Sequence, residues 1–299
     1  MTLHPTFAAG IAGTGNLAQA LGRALSERGV PILWIAGRDA GRTLRAARSI
    51  GPGVEPVSFD KLARRAERLL IVVSDGAIGE VAGILADATP APGVALHCAG
   101  AVDVSVLDPL RARGFACGSF HPLQTICAPA QGSAALPGSA FAIAGDPPAT
   151  EWAHRLTALL DGIPLQVPTG ARPRYHAAAV FASNYAAALL DAAQSLLAEA
   201  AGTDHEVARR ALAPLVRASV DNILERGPES ALTGPIARGD AGTVAAHLSA
   251  LAGNSLQDLY RAAGRHTLSL ARRKGLAPEA AAAIEQLLEG NHAPYDQTS

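Results

Sequence analysis

Apolar and polar positions alternate along this chain in two different ways. Up to about residue 168, short apolar runs at 8–13, 31–37, 69–74, 93–100, 116–122 and 139–145 have the length of buried strands. Between them, apolar residues recur at helical spacing over 16–29, 40–51, 77–87 and 105–114. Strands alternating with helices of ~10–15 residues predict parallel βαβ units. After "PLQVPTG" (164–170) the strand pattern does not return. From Arg172 onward the pattern is helical, with breaks near Gly202, Pro214, Gly227–Pro228, residues 233–240, Gly253 and residues 272–278. The expectation is an α/β domain over 1–168 followed by an all-helical domain over 169–299.

The first strand-to-helix turn has the chemistry of a phosphate site. Gly13-Thr14-Gly15-Asn16-Leu17-Ala18 stands between the first strand and the first helix. Gly13 allows the tight turn, Gly15 lets the backbone approach a pyrophosphate, and Ala18 lets the helix pack on the strand. The N–H groups of Asn16 and Leu17 then face the phosphate with the helix dipole behind them. The bland alternative is a tight βα turn without a ligand. With this loop the fold reads as a Rossmann-type, mostly parallel sheet.

The second strand ends Ala36-Gly37-Arg38-Asp39, with Arg42 one turn later. An enzyme of NAD usually has an acid there for the ribose 2′-hydroxyl. Here Gly37 clears that place and Arg38 can clamp a 2′-phosphate, so NADP is the expected cofactor. Arg38 and Arg42 as solvated charge at a helix start is the competing reading. Ligands of open parallel sheets lie outside the carboxyl ends of the strands. Ser74, Asp75, His97, Cys98 and Gly100 end the next two strands and are expected to line the nicotinamide side. Asp75 reads equally well as a helix N-cap.

Composition narrows the class. The chain has 299 residues, a formal net charge of −1 and three cysteines, Cys98, Cys117 and Cys127. The scattered arginines read as solvated helix faces, so no nucleic-acid partner is expected. An odd cysteine count without CxxC favours reduced thiols in the cytoplasm. "MTLHPTFAAGIAG" has no basic stretch ahead of an apolar run, unlike a signal peptide. No apolar segment reaches the ~20 residues of a membrane span. No HxxxH or carboxylate cluster suggests a metal.

Several motifs, in order, carry a family resemblance: "GTGNLA", "VSDGAI", "HCAGA", "SFHPLQT", "LPGSAFAIAGD", "YHAAAVFASNY" and "ALTGPIARGD". The chain resembles bacterial proteins that join a Rossmann domain of the deazaflavin-dependent NADP oxidoreductase type to a helical domain of unknown function. More distantly it is similar to pyrroline-5-carboxylate reductase, ketopantoate reductase and the 3-hydroxyacid dehydrogenases. The resemblance implies NADP, a site in the cleft between the domains, a small-molecule substrate and a homodimer. Most relatives have His-Thr-Ser-Gly where this chain has His97-Cys98-Ala99-Gly100, which puts a hydroxyl role at Ala99 in doubt.

The hydroxyacid and ketopantoate relatives use a lysine acid at the start of the second domain. This chain has only Lys61 and Lys274, neither placed for that role. Histidine is the natural substitute. His121 follows a strand end, and His176 starts the stretch "RYHAAAVFASNY" with Ser183 and Asn184 further on. On a straight helix these three border one groove, with Ser183 or Asn184 orienting the substrate and one histidine donating the proton. An exposed or capping histidine, and Ser or Asn bonding a neighbouring helix, are the plain alternatives. By analogy with the pyrroline-carboxylate reductases, Thr233, Gly234 and Arg238 hold an anionic substrate; otherwise they form a helix connection with Arg238 paired to Asp240. The expected function is an NADP-dependent reductase of a small carbonyl compound such as a 2-oxo acid. The alternatives are an imine or pyrroline-type reductase and a non-catalytic NADP-binding sensor.

Overall fold

A computed structural model describes residues 8–290. The opening residues and the polar end "NHAPYDQTS" lie outside the described residues. The chain divides into two compact units, residues 1–186 and 187–299.

The first unit is built on a single sheet of β1 (Ala9–Ala12), β2 (Ile32–Ala36), β3 (Glu55–Val57), β4 (Arg68–Ile71), β5 (Val94–His97), β6 (Ala116–Pro122), β7 (Ala140–Gly145) and β8 (Ile163–Gln166). Their order is β3-β2-β1-β4-β5-β6-β7-β8. All neighbours pair in parallel except β6 and β7. The order reverses between β1 and β4, which makes the mouth there the natural ligand site. The helices are α1 (Asn16–Ser26), α2 (Ala40–Ile50), α3 (Phe59–Arg65), α4 (Ile78–Ala88), α5 (Asp108–Arg111), α6 (Pro129–Ala135), α7 (Pro147–Leu159) and α8 (Arg172–Ala182).

The central strands are apolar on both faces because both faces are covered. Leu70 and Leu96 point into one core with Leu21, Leu25 and Phe120. Their neighbours Leu69 and Ile71 point into the other, with Leu62, Ile78 and Leu85. Each strand residue thus changes face with its neighbour, as the pleat requires.

Two strands escape the sequence pattern, β3 and β8. Each is a sheet edge, and each holds a proline, Pro56 and Pro164. An edge strand tolerates proline because its outward N–H needs no partner, yet proline erases the signal read from sequence. The sheet therefore includes Ile163–Gln166, a stretch inside the expected first domain that the sequence pattern left without a strand.

The expected boundary at 168 also falls too early. α8 belongs to the first unit, tied there by Arg172, which is fully buried. Its guanidinium Nη1 donates to the carbonyl oxygens of Ala99 (3.3 Å) and Gly100 (3.5 Å), and Nη2 donates to Ser119 Oγ.

The remaining helices are α9 (Asn184–Ala201), which carries the chain into the second unit, then α10 (His205–Arg226), α11 (Pro228–Ala231), α12 (Pro235–Arg238), α13 (Ala241–Ala250), α14 (Leu256–Arg273) and α15 (Pro278–Glu289). Ile236, Val244, Leu248, Leu268, Ile284 and Leu288 form the core of the second unit. Pro214 does not end a helix as expected; α10 runs straight through it. Among the described residues no helix is long and apolar enough to cross a membrane.

Candidate functional site

A groove of about 430 Å³ opens at the carboxyl ends of β1, β2 and β4. All six residues of the phosphate loop line it, from Gly13 to Ala18, together with Gly37, Arg38, Arg42 and Ser74. Gly13 has φ +132°, and a Cβ there would meet the Val72 carbonyl oxygen at 1.9 Å. Gly15 has nothing within 4 Å of its missing Cβ. One glycine is therefore dictated by the fold, while the other leaves open space. Ala18 is fully buried on the inner face of α1. Gly15 caps α1 without any side-chain hydrogen bond, and no acid occupies the first turn. The helix start keeps free N–H groups and an unopposed dipole, the combination that binds anions.

At the end of β2, Asp39 also lines the groove, with one of its two oxygens engaged. Its carboxylate Oδ1 accepts from the Arg42 N–H at 2.6 Å and caps α2. Gly37 is required for a different reason from the one expected: a Cβ there would meet Thr14 Cγ2 at 2.6 Å and Thr43 Oγ1 at 2.9 Å. Arg38 is exposed and forms no ion pair among the described residues.

The groove also has walls that the sequence reading missed: Phe59, Val73, Ala77, Glu80, Val81 and Ile84. Ala77, Val81 and Ile84 fall at helical spacing, and Ile84 is left 39% exposed, so one face of α4 was the available signal. Asp75 does not line the groove and caps nothing; it opens an exposed 3-10 turn ahead of α4, with Ser74 before it.

His97 and Cys98 do not line the groove either. Cys98 is buried in the sheet core, which pushes its thiol up to about 12. His97 is fully buried, and its Nδ1 accepts from the Ala99 N–H at 3.2 Å. Burial, then the charge of Arg172, lowers its pKa to about 3. His97 ends β5 and Cys98 follows it, and both side chains are buried because both faces of the sheet are covered there.

The structure does bring together His121, His176 and Gly100. A Cβ on Gly100 would lie 2.7 Å from His176 Nδ1 and 3.0 Å from His121 Nε2. Gly100 thus makes room for two imidazoles, whose ring centres are 6.4 Å apart. His121 Nδ1 is 2.8 Å from the Tyr175 hydroxyl. Burial first, then the charges of His176 and Arg172, lowers the His121 pKa to about 4. Burial pushes the Tyr175 hydroxyl up to about 12. His176 Nδ1, His97 Nε2 and Arg172 Nε are buried with no hydrogen-bond partner among the described residues. Arg172 and Tyr175 were not singled out from the sequence. Their spacing to His176, at i, i+3 and i+4, places all three on one face of α8, and that pattern was readable.

Ser183 and Asn184 are not part of this cluster. α8 ends at Ala182, Ser183 sits in the break, and Asn184 begins α9. Both are exposed. The straight helix assumed from composition does not exist here, so angular spacing from His176 loses its meaning. Lys61 is exposed on α3, and Lys274 Nζ donates to the carbonyl oxygens of Ser230 and Leu232. In the second unit, Thr233 lines an apolar cavity of about 380 Å³ with Leu196, Ile236, Leu251 and Tyr260. Gly234 and Arg238 do not line it, and Asp240 caps α13 through Thr243 rather than pairing with Arg238. These three residues do not gather into one anion site.

Comparison with known proteins gives the same two-part organisation. The Rossmann-like domain family matches residues 2–122, and a domain of unknown function, DUF2520, matches residues 139–267. No curated protein matches the sequence. Among solved structures, protein TM1727 from Thermotoga maritima is 21% identical over 89% of this chain and 99% of its own, with a TM-score of 0.71. Plasmodium falciparum pyrroline carboxylate reductase, solved with NADP bound, is 12% identical over 94% of this chain and 99% of its own, with a TM-score of 0.57. An imine reductase from Pseudomonas sp. is 18% identical over 93% of this chain and 91% of its own, with a TM-score of 0.55. At these identities the likeness is one of fold. The DUF2520 match starts ahead of β7 and so takes in the last two strands as well as helices. The chain joins a Rossmann-like domain to a DUF2520 domain.

Proposed function

We propose that the groove binds NADP and that the protein is an NADPH-dependent reductase of a small carbonyl compound. The observation that carries the cofactor reading is at the end of β2. Asp39 lines the groove but gives its Oδ1 to the α2 cap, while Arg38 and Arg42 line the groove on either side of it in sequence. Two guanidinium groups there suit a 2′-phosphate and offer nothing specific to a hydroxyl. The pyrophosphate fits the open space at Gly15 and the uncapped start of α1. Ile84 and Phe59 supply apolar surface for an adenine ring. The solved pyrroline carboxylate reductase with NADP bound has this fold, which supports the same reading.

Bound NADPH supplies a hydride. The chain must supply a hydrogen-bond donor and a proton for the oxygen that becomes negative. His121 and His176, both turned to one face of Gly100, are the groups available for that role. His121 stands at the end of β6 and Gly100 just past β5, next to the groove along the carboxyl end of the sheet, and His176 joins them from α8. A 2-oxo acid is the preferred substrate class in this proposal, with cyclic imines second.

Fluorescence titration tests the cofactor reading. Arg38→Ala should weaken NADPH by about 10- to 100-fold and leave NADH nearly unchanged, as loss of a charge-assisted pair of hydrogen bonds predicts. Equal weakening of both would reject the 2′-phosphate role. For the reaction, NADPH oxidation is followed with a panel of 2-oxo acids and cyclic imines. Binding without turnover across the panel would sink the reductase reading in favour of an NADP-binding sensor.

The proposal includes a homodimer through the second unit. Val220, Ile223 and Leu224 lie on one face of α10, with Leu224 79% exposed. A stripe of this kind marks an interaction surface rather than a solvated face. Light scattering is expected to give twice the chain mass, and Ile223→Glu with Leu224→Glu should shift it to one; a monomer in the unsubstituted protein rejects the assembly.

A further inference from the structure

We propose that Tyr175 is a positioning residue that fixes His121 as a neutral Nε2–H donor, leaving His176 as the group that delivers the proton. This rests on the reductase reading above.

The argument begins at the 2.8 Å contact between the Tyr175 hydroxyl and His121 Nδ1. The hydroxyl has no other partner among the described residues. If Nδ1 carried the ring proton, the phenol hydrogen would lose this acceptor in a half-buried place, at a cost of about 1–3 kcal/mol. The favoured arrangement has Tyr175 donating to Nδ1. A neutral imidazole that accepts at Nδ1 carries its proton on Nε2. That nitrogen faces the Cα of Gly100, 3.0 Å from where a Cβ would stand.

The two charges that act on His121, those of His176 and Arg172, favour the neutral form. His97 approaches from β5; Arg172, Tyr175 and His176 approach from α8; Asp103 faces Arg172 and His97. Burial and the charges of His176 and Arg172 hold the His121 pKa down to about 4. Tyr175, pushed up to about 12, keeps its proton through the working range. His121 is therefore a poor acid and a good neutral donor, a role in which neutral histidine polarises a carbonyl.

His176 differs in one respect. Its Nδ1 is buried, has no partner among the described residues and faces the same point over Gly100. A nitrogen left in that state is unsatisfied until a ligand atom meets it. In the reduction, NADPH held by the groove would supply the hydride that the carbonyl carbon gains. The carbon–oxygen π pair moves onto oxygen, which is held by His121 Nε2–H. That oxygen takes the proton from His176, which solvent then protonates again. The product is an alcohol.

The test uses the full chain labelled with ¹⁵N-histidine, without cofactor, with His121→Gln identifying the signals. His121 is expected to show the Nε2–H tautomer at neutral pH and to gain a second proton only near pH 4. Tyr175→Phe keeps the aromatic ring beside His121 and removes only the hydroxyl. It should turn the pure tautomer into a mixture and lower kcat about 10-fold, with KM for NADPH unchanged. An Nδ1–H tautomer in the unsubstituted protein, or an unaltered tautomer in Tyr175→Phe, overturns the proposal. If the tautomers behave as expected but no substrate of the panel is reduced, the reductase reading falls and the positioning of His121 stands.

Discussion

Replacing His176 by Gln should lower NADPH-dependent turnover by about 100- to 10,000-fold, the span that a positioned proton donor contributes. NADPH affinity should not change, because His176 is not among the residues that line the groove of the phosphate loop. The companion variant His121→Gln should lose less, about 10-fold, since the glutamine amide still offers an N–H donor. The ordering of the two is as informative as their size. Both imidazoles face Gly100, but only His176 has a buried nitrogen without a partner. Steady-state kinetics with the best substrate of the panel gives the comparison. Turnover unaffected in both variants would remove these histidines from the chemistry.

The second large effect separates two glycines five atoms of backbone apart in role. Gly13→Ala places a methyl 1.9 Å from the Val72 carbonyl oxygen, in a backbone conformation with φ +132° that suits only glycine. Strand β4 cannot yield there, because Leu69, Leu70 and Ile71 are fully buried. The cost should be at least about 3 kcal/mol, read as a drop in Tm, with loss of NADPH binding as a consequence. Gly15→Ala is the control. Its φ is −73° and nothing lies within 4 Å of the added methyl. It should leave Tm nearly unchanged yet weaken NADPH more than about 10-fold, because the methyl occupies the path of the pyrophosphate. A Gly15→Ala protein with full NADPH affinity would show that the loop does not cradle phosphate.

The parts of the fold legible in the sequence were those governed by local periodicity. β1, β2, β4, β5, β6 and β7 coincide with the apolar runs, and α1, α2 and α4 with the helical segments, to within one residue where they overrun. β3 and β8 were not legible, because Pro56 and Pro164 break the run in strands that only the sheet edge permits. α7 was passed over, although Ala149, Trp152, Ala153 and Leu156 mark its buried face at helical spacing. The phosphate loop and Arg38 were readable because function there depends on residues adjacent in the chain.

The candidate site was half legible. His121 and His176 stood out in the sequence as histidines in a chain nearly without lysine. Ser183 and Asn184 were drawn in by extending one helix through a break that their own residues make. Cys98 and His97 were placed at a strand end correctly, but the side of the sheet each faces was not given by that position.

What the sequence determined by itself is therefore the set of elements and the one loop whose chemistry is contiguous. Backbone propensity, pleat and helical spacing act over a few residues, and a reader of the chain can follow them. Only the tertiary structure decided which distant side chains share a face. Gly100, His121 and His176 are joined because Arg172, buried far from the solvent where arginine is at ease, fastens α8 to the turn after β5 and to Ser119 of β6. That fastening is a balance of desolvation against hydrogen bonds across three elements, and no local pattern encodes it.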